Sequence, residues 1–442
     1  MKLYFFPAVL PLVELLPVLL TAFAAIAGFL LGARGRFQRF VWPARIALAT
    51  AIVALAWFGW PTVYWRLNPN ASRLTVLPKF EIISPPPAEE VQPARAFVRG
   101  RWREDWRVPI RGRALSSLVL SGGLLMVGTW ESTVDAYSTA DGAHVWRVQK
   151  REPVYSLTLA SPNLLIAGEG LHTSQSASLT ALELPSGRPL WQREFRGHIE
   201  SAPTTKDNKI WFGAGPSGLW CLDLLTGTVL WHSAVGHVDS TPLVEGGKVF
   251  FAAQPSDAKP TSILHALDAS TGAPLWELPL PGQPWGSPKL LNGMLLTTTG
   301  LGQVGVNLAT DRGWAHAVTP EGKLVWSSEL GGNPIEASVP LPTLGLSAVT
   351  LTNGQVVAVR IRDGAIAWRQ VLSAPSQADL TVERGSFTLA ATLTNGEVHF
   401  LDARNGAPLE IHKIDSDSSS APLFTPSGLY IAGPATLRKI RW

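Results

Sequence analysis

The chain holds a single cysteine, Cys221, among 442 residues. No disulfide can form within it, so packing and hydrogen bonding must hold it together. Cys221 stands in an apolar stretch ahead of a turn, the place of a small buried hydrophobe. Charge is also scarce, at 16% of residues, with 37 Lys and Arg against 33 Asp and Glu. The difference equals four arginines clustered near the N-terminus, Arg34, Arg36, Arg39 and Arg45. The basic balance is therefore local and gives no footprint for nucleic acid. No glycine-rich phosphate loop, serine nucleophile elbow or His-Glu helix motif stands in a suitable context. Catalysis has no candidate residue, and no enzyme is expected.

Tryptophan, by contrast, is abundant, with 18 residues, and it recurs in a frame. Residues 266–276 (ALDASTGAPLW) combine an apolar pair, a polar turn, a Gly and a Trp. The same frame reads AYSTADGAHVW at 136–146, ALELPSGRPLW at 181–191, CLDLLTGTVLW at 221–231 and AVRIRDGAIAW at 358–368. Two copies depart from it: 317–326 is one residue shorter, and 400–410 (FLDARNGAPLE) has Glu410 in the Trp position. In every copy a Gly precedes the Trp position by four residues: Gly142, Gly187, Gly227, Gly272, Gly322, Gly364 and Gly406. A polar run ending in Gly supplies the positive φ of a tight turn, and the flanking apolar stretches pair as a hairpin. Trp at 146, 191, 231, 276, 326 and 368 recurs roughly every 40 to 50 residues, the length of one four-stranded propeller blade.

A second motif counts the blades. Small polar residues open a short strand at 116–117, 155–156, 201–203, 240–242, 287–288, 337–338, 377–378 and 420–422. These eight openings predict eight blades. After the last opening only three strands' worth of chain remains, whereas 102–109 supplies an unpaired Trp-bearing strand before the first. The two ends are expected to complete one blade, with Trp106 as its Trp-position residue, and closure leaves no open sheet edge around the ring. The expected fold is all-β, an eight-bladed β-propeller over 101–442. The Trp residues of the frame are expected to dock blade against blade rather than to cage a ligand.

Ahead of the propeller, residues 3–31 are almost wholly apolar, broken by Glu14 and three prolines, and 46–65 form a second apolar run. Each is long enough to cross a bilayer as a helix, and Trp57, Trp60, Tyr64 and Trp65 cluster like an interfacial belt. The first run is too long for a signal peptide and has no small-residue cleavage site before the arginines. Residues 1–66 are therefore expected to be an anchor of two transmembrane helices. The arginine loop between them is cytoplasmic by the positive-inside rule, so both ends face outward and the propeller lies on the periplasmic or exterior side of the cytoplasmic membrane. Glu14 within the first run is either a contact with a partner helix or an interfacial residue. Residues 67–100, rich in Pro and charge, read as an extended linker.

The frame resembles the quinoprotein-type (PQQ-like) β-propeller repeat, and the Trp-first, eight-blade layout resembles the BamB assembly-factor family, over 102–442. That resemblance implies a scaffold with an envelope or membrane protein partner. Its quinone enzymes imply a pyrroloquinoline quinone over calcium in the central channel, often beside adjacent cysteines. One cysteine excludes that pair, and the long insertions of those enzymes are lacking, so no cofactor is expected. The chain departs from BamB, a lipoprotein, in having no cysteine near the N-terminus to carry lipid; the helices would replace that anchor. The rivals to a non-catalytic scaffold are a PQQ-dependent oxidoreductase, a small-ligand sensor and a subunit of a larger membrane complex held through the helices.

One polar constellation is doubled. Gly197-His198-Ile199-Glu200-Ser201 and Gly236-His237-Val238-Asp239-Ser240 stand at matching places in neighbouring blades. His198, Glu200, His237 and Asp239 are residue types that hold transition metals. Polar loops ahead of an inner strand explain them better, since Glu336 stands in a similar place without His, so no metal is assigned. His265, His316 and His399 read as packed or surface residues. Loops between second and third strands vary most: 168–178, 213–218, 254–261 and 299–313. All should open on one face with the two His-bearing loops, and long loops on a rigid scaffold are where binding sits. The expected partner contacts are His172, Gln175, Asp257, Lys259, Asn307, Asp311, Arg312 and Trp314.

Overall fold

A computed structural model describes residues 72–74, 78–83, 100, 102–255, 261–284, 286–302, 311–334, 338–376, 378–414 and 420–441. The chain divides into Met1–Ala71 and Ser72–Trp442, and the propeller occupies the second unit. The two apolar runs expected to cross a membrane lie outside the described residues. Among the described residues no helix is long and apolar enough to cross one.

Eight antiparallel sheets form the ring. Blade 1 runs outward through Val119–Ser121, Leu124–Gly128, Thr133–Ser138 and His144–Gln149. Six more blades repeat that order. The eighth takes its three inner strands, Leu423–Thr425, Gly428–Ala432 and Thr436–Arg441, from the end of the chain and its outer strand, Arg103–Pro109, from near the start. Arg103 there opposes Arg441 and Pro109 opposes Thr436. The middle strands are buried on both faces because each sheet packs between two others; Leu124–Gly128 is buried at all five positions. The apolar core is accordingly a series of layers between blades, such as Leu124 and Met126 of blade 1 against Leu165, Ala167 and Leu182 of blade 2.

The Gly and Trp of the frame meet across these layers. Each Trp side chain reaches the outer hairpin of the following blade and donates its indole N–H to a backbone carbonyl in that turn. The bonds run from Trp146 to Pro185 (2.8 Å), Trp191 to Leu224 (3.0 Å), Trp231 to Ala269 (3.2 Å), Trp276 to Pro320 (3.0 Å), Trp326 to Ile361 (2.8 Å) and Trp368 to Ala403 (3.2 Å). Trp106 closes the series on Thr139 at 3.1 Å. The Gly of the receiving turn lies under the indole: at Gly272 (φ 73°) a Cβ would stand 2.8 Å from the ring of Trp231. Positive φ and the absence of a side chain are thus required at one residue. Opposite these Trp residues the inner partner is small, as with Ala136 facing Trp146 and Ala266 facing Trp276, except at Trp106, which faces Lys439.

Glu410 departs from the frame because blade 8 has no outer turn to receive a Trp. Two chain strands meet there instead. Glu410 accepts hydrogen bonds from Trp102 Nε1 (3.0 Å) and from the backbone N–H of Gly100 (3.3 Å), and it pairs with His412 at 2.6 Å. Phe400 faces Glu410 across the strands and packs edge-on to Trp102 at 4.9 Å, which fills the space left by the missing indole. Burial raises the Glu410 pKa, but the bonds from His412, Trp102 and Gly100 prevail and hold the carboxyl below its ordinary range.

The stretch expected to be an extended linker, 67–100, contributes two strands. Ser72–Leu74 pairs with Pro189–Arg196 on the outer edge of blade 2, and Lys79–Ile82 pairs with His144–Gln149 on that of blade 1. Ile83 extends the second pairing by donating to Val145 O at 2.7 Å. The physical reason is the exposed edge itself: an outer strand offers unpaired N–H and C=O groups that an extended segment of any composition can satisfy.

Candidate functional site

In an up-and-down blade, the connection between second and third strands and the connection to the next blade leave the same edge of the sheet. His172 lies on the first kind in blade 2, between Leu164–Glu169 and Ser176–Glu183. His198 lies on the second kind, between Pro189–Arg196 of blade 2 and Thr204–Lys206 of blade 3. His237 and Asp239 follow Val229–Ser233 of blade 3 and precede Leu243–Glu245 of blade 4. The ring therefore brings three connections from three successive blades to one place.

Local backbone bonding sets the side-chain directions. Ile199 N–H donates to Glu169 O at 3.1 Å, and Val238 N–H donates to Gly215 O at 2.9 Å. His237 exchanges two bonds with Gln254, at 2.8 and 2.9 Å. Both segments are thus extended, and successive side chains alternate. Ile199 and Val238 are fully buried apolar pegs. His198 and Glu200 flank the first peg, and His237 and Asp239 flank the second. Gly215 makes room for the site, since a Cβ there would come within 2.6 Å of the His198 ring.

The four groups converge. His198 Nε2 lies 2.9 Å from Asp239 Oδ1, His237 Nε2 lies 2.8 Å from Asp239 Oδ2, and the two Nε2 atoms are 3.2 Å apart. His172 Nδ1 stands 3.7 Å from Asp239 Oδ2, and its ring centroid is 4.7 Å from those of both other imidazoles. His198 is buried, His237 and Asp239 are half-buried, and the His172 side chain is 66% exposed. Taken one atom per residue, the possible ligand atoms of His172, His198, His237 and Asp239 all lie within 4.8 Å of one another.

Electrostatics follow from this crowding. Burial opposes ionisation of Asp239, but the hydrogen bonds from His198 and His237 outweigh it and hold the carboxyl far below the usual carboxylate range. Burial disfavours the His198 imidazolium, yet its hydrogen bond to Asp239 and the charges of Asp239 and Glu200 raise its pKa. Glu200 is pushed up to about 7 by burial and by the negative charge of Asp239. It receives a hydrogen bond from the His172 backbone, so its carboxyl braces the loop that carries the third imidazole. Ser174 tightens the same loop by accepting from Leu171 N–H (2.9 Å) and donating to Glu152 (2.9 Å).

The structure thus joins His198, His237 and Asp239 of the doubled motif, sets Glu200 beside them, and adds His172. His172 carried no spacing signal: it stands on another loop, and only blade-to-blade packing brings it in. Of the remaining expected partner contacts, Gln175 is exposed, and its carbonyl accepts Gly197 N–H at 3.1 Å. Arg312 pairs with Glu329 through bonds of 2.9 and 3.1 Å and lies 5.2 Å over the ring of Trp314. Asp311 accepts from Thr352 Oγ1 at 3.4 Å. These three form a separate group in blade 5. Asp257, Lys259 and Asn307 lie outside the described residues. His265, His316 and His399 are all buried.

Comparison with known proteins places the chain in a family. The family model described as outer membrane protein assembly factor BamB matches residues 103–278 and 311–429. The outer membrane protein assembly factor BamB of Yersinia pestis is 25% identical over 137 residues, 28% of this chain and 35% of that protein. The aligned stretch therefore spans about a third of the length of that curated relative. Among solved structures, BamB from Moraxella catarrhalis superposes with a TM-score of 0.59 at 16% identity, covering 76% of this chain and 99% of that one. A europium-containing methanol dehydrogenase superposes with a TM-score of 0.58 at 13% identity, covering 75% of this chain and 86% of that one. At such identities the two superpositions speak for the fold alone. The family model matches well over half of the chain, and the protein belongs to the family of the outer membrane protein assembly factor BamB, built on PQQ-like β-propeller repeats.

Proposed function

We propose that this chain is a non-catalytic interaction scaffold for envelope-protein assembly, held by two N-terminal helices with its propeller on the outer side of the cytoplasmic membrane. Its partner is an envelope or membrane protein, bound on the face where the loops of blades 2 to 5 and the His-bearing connections gather. The observation that carries this reading is the family match across both halves of the propeller. The topology supports the choice of face, since a closed ring of rigid blades fixes the spacing of loops that differ from blade to blade. The anchor reading rests on the two apolar runs and the arginines between them.

The test is a cross-linked pull-down of the full-length protein from membranes, beside a variant with loops 254–261 and 299–313 shortened. Loss of one specific envelope protein from the variant supports the loop face. Retention of every partner refutes that face and moves the contact to the apolar segments. Quinone absorbance with calcium-dependent dye reduction in the purified protein would refute the non-catalytic reading.

A further inference from the structure

From the convergence of His172, His198, His237 and Asp239 we infer that the loop face carries a structural zinc site shared by blades 2, 3 and 4. The inference goes beyond the scaffold reading and stands whether or not a partner binds there. Its starting point is the 3.2 Å separation of His198 Nε2 and His237 Nε2, both aimed at one carboxylate. Two imidazole Nε2 atoms that face one carboxylate either each donate an N–H to it or turn both lone pairs toward one cation.

The spacing fits a tetrahedral ion. With Zn–N and Zn–O lengths of about 2.0 to 2.1 Å, neighbouring ligand atoms of a regular tetrahedron lie roughly 3.3 Å apart. The separations here are 3.2 Å between the two Nε2 atoms, 2.9 and 2.8 Å from these to the Asp239 oxygens, and 3.7 Å from His172 Nδ1 to Asp239. These lie near that edge but use both Asp239 oxygens; taken one atom per residue, the four ligand atoms lie within 4.8 Å of one another. Closing the set to a tetrahedron takes movements of about 1 Å, the largest of them by the exposed His172. Three nitrogens and one oxygen are ligands that suit zinc, whereas calcium and magnesium prefer oxygen.

Four protein ligands fill a tetrahedron and leave no position for a reacting water, so the ion is structural rather than hydrolytic. Its place gives it a task. His198 and His237 lie on connections that the backbone already fixes, while His172 lies on a loop. Coordination would tie that loop down onto the two connections and give the face a single shape, with Glu200 holding the His172 backbone from the other side. The rival arrangement without metal has both imidazoles donating Nε2–H, one to each Asp239 oxygen.

The test uses the full-length protein in detergent, stripped with a chelator and titrated calorimetrically with Zn2+ alone; Co2+ serves as a spectroscopic probe. The expected results are one zinc per chain, visible bands of tetrahedral Co2+ and a thermal midpoint that rises with zinc. His172→Ala and Asp239→Asn should each weaken zinc binding by roughly tenfold or more, since even groups that only orient metal ligands cost 10- to 100-fold. Circular dichroism of each stripped variant, compared with the stripped parent, separates loss of a ligand from loss of fold. His172→Ala keeps the question open to refutation because its side chain is two-thirds exposed and supports no core. Absence of stoichiometric binding, an octahedral Co2+ spectrum, or affinity unchanged in both variants would overturn the inference and leave the hydrogen-bonded arrangement.

Discussion

Gly272→Ala tests the physical account of the repeat. At Gly272 φ is 73°, and an added Cβ would sit 2.8 Å from the Trp231 ring. Two costs should add. Placing an L side chain in the left-handed region costs roughly 1 to 2 kcal/mol, and forcing an indole out of a packed layer costs roughly 1 to 3 kcal/mol more. Gly246 separates them: its φ is 56°, but a Cβ there has nothing within 4 Å. Gly246→Ala should therefore lose only the first, smaller amount, and Gly272→Ala the sum, about 2 to 5 kcal/mol. Both are read from urea and thermal unfolding of the full chain, with a Trp231→Phe background for a double-mutant cycle. In that background the smaller ring should yield, and the excess cost of Gly272→Ala should shrink. Equal losses at the two glycines, or no coupling to Trp231, would refute the view that the Gly is there to receive the Trp.

Other perturbations probe other parts of the ring. His316, fully buried between Thr299 and Ser327, has its pKa lowered by burial from 6.5 to about 4. The fold favours the neutral ring, so this contribution is complete above pH 6.5 and is lost as pH falls toward 4, by roughly 3 kcal/mol at most. A unfolding series over that window should show a steeper decline for the parent than for His316→Gln, and parallel curves would exclude His316 as the cause. Lys150 is buried with Glu169 at 3.4 Å and also bonds to Ser178 (2.9 Å) and Gln192 (2.8 Å). Lys150→Met takes the buried counter-charge from Glu169, leaving it the hydrogen bonds from Ser178 and the Arg151 N–H, and should cost about 3 to 5 kcal/mol, whereas Lys150→Met with Glu169→Gln should recover part of it; denaturant midpoints decide, and equal losses would contradict the pairing. Glu410→Ala removes the acceptor of Trp102 Nε1 and Gly100 N–H and should cost about 1.5 to 3 kcal/mol, the worth of hydrogen bonds to a charged group. Hydrogen exchange should then quicken in Arg103–Pro109 and Thr436–Arg441 ahead of the other blades, and uniform exchange would place ring closure elsewhere.

The sequence by itself determined the ring. Blade number followed from eight strand openings, the outer hairpins from glycines four residues before each Trp position, and ring closure from a lone strand around Trp106 and an incomplete last blade. Each of these signals is local: a turn needs its Gly within a few residues, and a two-face buried strand needs an unbroken apolar run. The sequence also marked His198, His237 and Asp239 as a doubled motif, because matching loops of neighbouring blades keep matching positions.

Tertiary structure decided what depends on distance across blades. His172 joins the other imidazoles only because a second-to-third-strand loop of one blade lies beside the connections of the next two. Glu410 makes sense only once the chain ends meet where an outer turn would otherwise stand. Ser72–Leu74 and Lys79–Ile82 are strands because the outer edges of blades 2 and 1 accept backbone bonds. Backbone pairing at an edge asks for no particular side chain, and so it leaves no pattern in the sequence to find.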